Sequence, residues 1–425
     1  MDDAAPTGGG PASGEPDRGR PGGRGPERAP RRRRGIAVAM MALFVVIAVV
    51  AVLLPVGARW YTNRVPSDLR PSQAPEQLRS LSIDFGMVVD PKTDWTAVRR
   101  HLDQVGATAV ALNAGRVEFT AFDWPAHPEV AAEPGTDHLA VAARQLRVGA
   151  DGTQREVSLI VDAFIPEWIK SDPSVGGIGV EGKRGPYTAS ASQLYSGEVG
   201  DRLVAYVAAL GERYDPSAIE ITELFLSFYT YGPDDLALYR QLTGAADWPR
   251  SPDGSINQLD PSIGIWRSQV LAHLLGRMRT ALDGVRNGQG RDIKLVMDVR
   301  VDWTNPAAGR PFSGQDYAIL LESADLLQVW AYLGSTTAKG TVRAPSEITR
   351  LTGALNGAGL DMSRFIMSVG LWTGAPGAEP PGRLGPALLG EAVTAATSNG
   401  ISAVNVTPYS LMSNAHWTAL ARVWN

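Results

Sequence analysis

No cysteine occurs anywhere in the 425 residues. Disulfides and thiolate metal sites are therefore excluded, and any nucleophile must come from oxygen or nitrogen chemistry. Histidine is scarce as well: the five residues His101, His127, His138, His273 and His416 include no H-x-x-x-H pair, which argues against a metal-dependent deacetylase. Phosphate-binding and dinucleotide-binding glycine fingerprints are missing, so no cofactor is expected. Residues 1–34 are Gly, Pro and Arg with almost no large apolar side chain. Such a segment cannot bury enough surface to offset chain entropy and is expected to be a disordered cytoplasmic tail.

The next segment has the opposite character. From Ile36 to about Ala58 the chain is almost wholly apolar and carries no charge, long enough as a helix to span a hydrocarbon core of roughly 30 Å. Residues 35–58 are read as one transmembrane helix, with a cleaved signal peptide as the alternative. Arg31, Arg32, Arg33 and Arg34 precede it directly. That bias predicts a cytoplasmic N-terminus and an extracytoplasmic C-terminal domain, a single-pass protein of the cell membrane whose first partner is the lipid bilayer. The arginines are read as a topology signal, and no nucleic-acid partner is expected.

Residues 59–77 form a Pro- and Ser-containing stalk, and 78–425 follow with no second low-complexity linker, as one large domain. Apolar runs recur through it with helical stretches between them. Strands are expected at Leu81–Val88, Ala107–Leu112, Val157–Val161, Ala218–Thr222, Ile293–Met297, Leu326–Trp330, Phe365–Gly370 and Ile401–Val406. Helical patterns lie at Trp95–Val105, Asp201–Tyr214, Ile265–Arg286, Pro345–Ala358 and Gly385–Asn399. Strands alternating with helices imply a parallel sheet, and the count of strands predicts an α/β fold of the (β/α)8 barrel type. An open doubly wound sheet is the rival, but Asp84-Phe85-Gly86-Met87 is not the Gly-rich turn such sheets carry after their first strand. The extra length falls after the second, third and fourth strands, where βα loops build clefts.

Carboxyl ends of barrel strands form the working face, so polar residues there are the candidates for chemistry. Glu223 ends the run Ala218-Ile219-Glu220-Ile221-Thr222-Glu223 and opens an aromatic stretch, Phe225, Phe228, Tyr229 and Tyr231. Asp162 and Asp298 close the neighbouring strands. Strands about 4.8 Å apart bring these acids to one point, where like charges raise one pKa and leave an acid able to protonate a leaving oxygen. Carboxylates among aromatic rings are what cleavage of a glycosidic bond requires. Glu223, Asp298 and Asp162 are thus the catalytic candidates. Asp84, Asn113, Glu220, Tyr229, Gln328, Trp330, Tyr332, Trp372 and Asn405 are expected to line the substrate site, and Trp124, Trp168 and Trp303 are further platforms. Each has a plainer explanation in core packing or helix capping.

The stretch from Tyr206 to Arg240 carries a resemblance: Arg213-Tyr214-Asp215, Ile219 to Glu223, Phe228-Tyr229-Tyr231-Gly232-Pro233 and Leu238-Tyr239-Arg240. Trp266-Arg267, Lys294 to Asp298, Asp316-Tyr317 and Asp325 to Trp330 follow in order. The chain resembles glycosyl-hydrolase-like barrels, in particular glycosidase-like family 10 proteins and the C-terminal barrel of poly-N-acetylglucosamine deacetylases. The resemblance implies a glycoside hydrolase acting on an envelope or extracellular polysaccharide, or a non-catalytic barrel that binds glycans or supports an envelope complex. Two departures stand out. Thr222 and Glu223 occupy positions where those relatives place an Asp or an Asp pair, and Phe365 to Gly370 carries no acid where retaining barrels hold a nucleophile.

Overall fold

The computed structural model describes residues 63–425 apart from 67–68, 72, 286–291, 335–341 and 375–381. The expected cytoplasmic tail, the transmembrane helix at 35–58 and the start of the stalk lie outside the described residues. Among those described, no helix is long and apolar enough to cross a membrane.

Eight parallel strands close on themselves: β1 (Leu78–Ile83), β2 (Ala109–Arg116), β3 (Glu156–Asp162), β4 (Ala218–Thr222), β5 (Lys294–Val299), β6 (Leu326–Trp330), β7 (Phe365–Gly370) and β8 (Ala403–Thr407). Closure is seen at β1, which pairs Ser80 with Ala109 of β2 on one side and with Asn405 of β8 on the other. Each of the eight strands thus has a parallel neighbour on both sides and the ring has no open edge, which excludes the doubly wound alternative. A helix follows each strand: α1 (Trp95–Gln104), α2 (His138–Leu146), α3 (Glu198–Tyr214), α4 (Pro261–Asp283), the single turn α5 (Tyr317–Leu320), α6 (Ser346–Gly357), α7 (Pro386–Ala396) and α8 (Asn414–Trp424). All six residues of β7 are buried, as expected of strands covered by helices outside and by the packed interior within.

Two boundaries depart furthest from expectation, both at the mouth. The first strand stops at Ile83, and the apolar run expected to continue it to Val88 turns into a short helix, Phe85–Val89. The Asp84 carbonyl accepts from the N–H groups of Met87 and Val88, which starts that helix; a short apolar run does not distinguish strand from helix by its pattern. The second strand runs on to Arg116 instead of ending at Leu112. A bulge between Asn113 and Gly115 then sets Arg116 opposite Asp162. Gly115 sits at φ +100°, with the Phe119 carbonyl oxygen 2.2 Å from where a Cβ would lie, so only glycine fits the bulge.

The βα loops after β3 and β4 hold elements of their own. After β3 come a helix (Pro166–Ser171), a hairpin (Gly176–Ile178 with Arg184–Ala189) and a second helix (Ala191–Ser196), and after β4 the helix Pro233–Thr243. All of this growth follows strand ends, on the face where a barrel places its chemistry.

Inside the barrel, branched apolar side chains ordinarily fill the layers, but here part of the interior is polar. The Ser158 hydroxyl donates to Glu220 Oε1 at 2.5 Å, and the Gln328 amide donates to Glu220 Oε2 at 3.3 Å and to Asp298 Oδ1 at 2.8 Å. Across the barrel, the Asn405 amide donates to the hydroxyls of Ser82 (3.0 Å) and Ser368 (3.2 Å). Burial, and secondarily the charge of Asp298, pushes Glu220 from 4.5 up to about 7, while hydrogen bonds from Ser158 and Gln328 oppose the shift. A carboxyl whose folded pKa is raised contributes stability that is fully present below about 4.5 and lost as pH rises through about 7. Glu220→Gln keeps the hydrogen-bonding shape and removes the charge. The loss of unfolding free energy between pH 5 and pH 8, measured by denaturant titration, should shrink in this variant. An unchanged slope would show that Glu220 is not held neutral.

Candidate active site

Glu223 stands one residue beyond β4 in the left-handed region, at φ +54°. For a residue with a side chain this costs on the order of 1–3 kcal/mol and persists only where neighbours over-determine it. The neighbours are two buried polar side chains. Gln315 Nε2 donates to the Leu224 carbonyl at 3.0 Å, and Gln315 Oε1 accepts from the Arg300 N–H at 3.0 Å, so one amide ties the loop after β4 to the loop after β5. Arg267 of α4, fully buried, donates to Thr230 Oγ1 (2.7 Å), the Tyr231 hydroxyl (2.9 Å) and the Phe312 carbonyl (2.7 Å). The Leu226 N–H to Ser313 carbonyl bond, at 2.9 Å, closes the same seam.

These contacts present the Glu223 carboxyl at the mouth with its side chain 31% exposed and its Oε2 3.5 Å from Arg300 Nη2. Burial is the main force on its titration and pushes it from 4.5 up to about 7. Arg300 and Arg116 oppose the shift, while the charges of Asp162 and Asp298 add to it. The three predicted acids therefore do converge electrostatically. Asp298 lies deepest and is pushed up to about 6 by burial, with Thr222, Trp330 and Gln328 pulling it back. The buried Trp330 indole N–H has no partner within hydrogen-bond geometry, yet it lies near enough to act on Asp298. Asp162 accepts from Arg116 at 2.6 Å and from the Phe164 N–H at 2.9 Å; burial raises its pKa and Arg116 opposes it.

Of the expected lining residues, Gln328 and Glu220 lie beneath this group in the polar interior, whereas Trp330, Tyr332 and Trp372 extend from it as neighbouring rings. Trp330 and Tyr332 are stacked with centroids 5.4 Å apart, and Tyr332 meets Trp372 at 5.6 Å. Others are engaged elsewhere. Asn405 is 1% exposed among the interior serines. The Asn113 Oδ1 accepts from the Gly115 N–H at 2.8 Å, serving its own bulge. Asp84, one residue beyond β1 across the mouth, accepts from the Ser410 N–H at 3.2 Å. The Tyr229 ring lies over Gly185 of the hairpin, 2.7 Å from where a Cβ would stand. Trp124 is a core residue, 2% exposed and packed 4.9 Å from Tyr206. Trp168 packs beneath the Arg202 guanidinium and Trp303 beneath that of Arg343.

Arg300 was missed by sequence reasoning, although its place two residues after Asp298 returns it to the same side of the strand end. Its guanidinium stacks 3.5 Å from the Phe225 centroid and lies 5.5 Å from Trp330, so two rings hold the cation beside Glu223. Among the described residues, no group of three or more His, Asp or Glu is placed to hold a metal ion.

The arrangement offers a carboxyl pushed up to about 7, two further carboxylates within electrostatic reach, two guanidinium groups and a wall of aromatic rings. No protein-family model matches the chain, and no curated protein does. Solved structures of similar fold do exist. The glycoside hydrolase domain of PgaB (BpsB) from Bordetella bronchiseptica superposes with a TM-score of 0.59 at 14% identity, covering 82% of this chain and 99% of that one. The catalytic domain of a Paenibacillus polymyxa β-amylase gives 0.52 at 12% identity, covering 83% and 98%. An α-L-fucosidase from Paenibacillus thiaminolyticus gives 0.55 at 14% identity, with 82% of this chain and 49% of that one covered. At these identities the likeness establishes the fold: an α/β barrel of the architecture that these carbohydrate-active enzymes share.

Proposed function

We propose that this chain is a glycoside hydrolase of the cell surface, acting on an envelope or extracellular polysaccharide, with Glu223 as its general acid. The observation that carries the proposal is the state of Glu223, a carboxyl pushed up to about 7 by burial on a backbone held in the left-handed region at the barrel mouth. Perturbed acids in such places are characteristic of catalytic groups. In the reaction, protonated Glu223 donates its proton to the glycosidic oxygen as the bond from that oxygen to the anomeric carbon breaks. Asp162, whose charge Arg116 balances, faces the positive charge that develops on the sugar. Water then adds to the anomeric carbon and gives up its proton to a neighbouring carboxylate. With no acid on β7, a substrate amide in place of a protein nucleophile is the other route to the same products. Asp298 and Gln328 position the group from below. No metal or cofactor takes part in these steps.

A second reading, a barrel that binds glycans or supports an envelope complex without cutting, is favoured by the ion pairs Glu223–Arg300 and Asp162–Arg116, which can neutralise both acids permanently. Exchange of one atom group separates the two. Glu223→Gln preserves shape but has no transferable proton, so release of reducing ends should fall roughly 10²- to 10⁴-fold with binding retained. Hydrolysis by this variant at the parental rate would refute the assignment. Activity of the parent should fall as pH rises through about 7, where Glu223 loses its proton. A rate that stays level to pH 9 would contradict that role.

Localisation belongs to the same proposal. The apolar run at 35–58 anchors the chain, with residues before Ile36 inside and the barrel outside. Protease added to intact cells should remove the domain beyond Trp60 and spare the tail; digestion of the tail instead would reverse the orientation.

A further inference from the structure

The rings at the mouth form a series longer than a single sugar site would need. Tyr187 of the hairpin lies 5.6 Å from Phe164, which follows β3, and Phe164 meets Phe225, which follows β4, edge-on at 5.7 Å. Phe225 carries the Arg300 guanidinium, which also faces Trp330. From Trp330 the series continues through Tyr332 to Trp372. Each contact is within ring-stacking range, so the line is unbroken and Arg300, the partner of Glu223, stands at its middle.

The two ends are open to solvent. Tyr187 is 54% and Trp372 38% exposed, whereas the residues between them are part-buried. The members follow consecutive strands from β3 to β7, and at about 4.8 Å per strand the arc spans roughly 20 Å. Trp330 and Tyr332 are nearly parallel, 6° apart, and stack on each other, which fixes the ring pair between Arg300 and Trp372. Net charge along the line is low, because each guanidinium has a carboxyl partner, Arg300 with Glu223 and Arg116 with Asp162.

We infer that this arc is a binding track for a linear, uncharged polysaccharide that crosses Glu223 and continues on both sides of it. The chain is held by its interior, with one arm on Tyr187 and Phe164 and the other on Tyr332 and Trp372. The cut that follows, resting on the hydrolase reading above, falls inside the polymer. A pocket for a chain end needs one arm; this mouth has two.

Calorimetric titration of the purified full-length chain in mild detergent tests the inference, with β-1,4-linked hexamers and dimers of N-acetylglucosamine and of glucose as probes. At least one hexamer should bind about tenfold or more tightly than its dimer, and Tyr187→Ala and Trp372→Ala should each weaken that hexamer about tenfold. Both side chains are exposed, so thermal unfolding should stay unchanged, and Tyr187→Phe should restore binding. Equal affinity for hexamer and dimer, loss in only one of the two alanine variants, or no binding of either hexamer overturns the track. Failure of the hydrolase reading looks different: the parent would release no reducing ends while both arms still contributed to binding.

Discussion

The amide of Gln315 joins the two loops on which the site depends. Its nitrogen holds the Leu224 carbonyl and its oxygen holds the Arg300 N–H, so the backbone beside the acid and the backbone beside its counter-charge cannot move apart independently. Because Gln315 is itself 1% exposed, breaking either bond would strand a buried polar group, at a cost on the order of 1–3 kcal/mol. That cost is comparable with the strain stored at Glu223, whose left-handed backbone the clasp helps to maintain. Arg267 reinforces the arrangement from α4 by holding Thr230, Tyr231 and Phe312.

From this constraint the electrostatics follow. A carboxyl fixed at the mouth, partly shielded from water and facing two other acids, favours its protonated form; the guanidinium of Arg300 limits the shift without abolishing it. The polar interior extends the effect downward, since Gln328 gives one amide group to both Asp298 and Glu220. Titration of any one of these acids therefore changes the field at the others, and the observable transitions belong to the group. Phe225 and Trp330, 3.5 and 5.5 Å from the Arg300 guanidinium, keep the cation in place when Glu223 is neutral.

Much of the architecture was legible in the sequence, and the reasons are physical. β4, β6 and β7 were read with their observed bounds because each is a short apolar run bounded by breaks in pattern. β1 was overextended, because apolar residues at Phe85–Val89 serve a helix as well as a strand, and β2 was cut short, because its bulge interrupts the alternation that marks a strand. Asp162, Glu223 and Asp298 could be placed together at the mouth from the sequence because strand ends define that face. Arg300 and Gln315 could not, because their partners lie on other loops and no local spacing announces them. Asn405 and Trp124 had the right chemistry at the right place in the chain, but the fold directs them into the packed interior.

The central claim is that Glu223 carries a proton near neutral pH. Carbon-13 NMR of the labelled side-chain carboxyl, assigned by its loss in Glu223→Gln, reads that proton without a substrate. The account predicts a titration midpoint at about 7. A midpoint at the ordinary carboxylate value of 4.5 would contradict it and remove Glu223 as the acid.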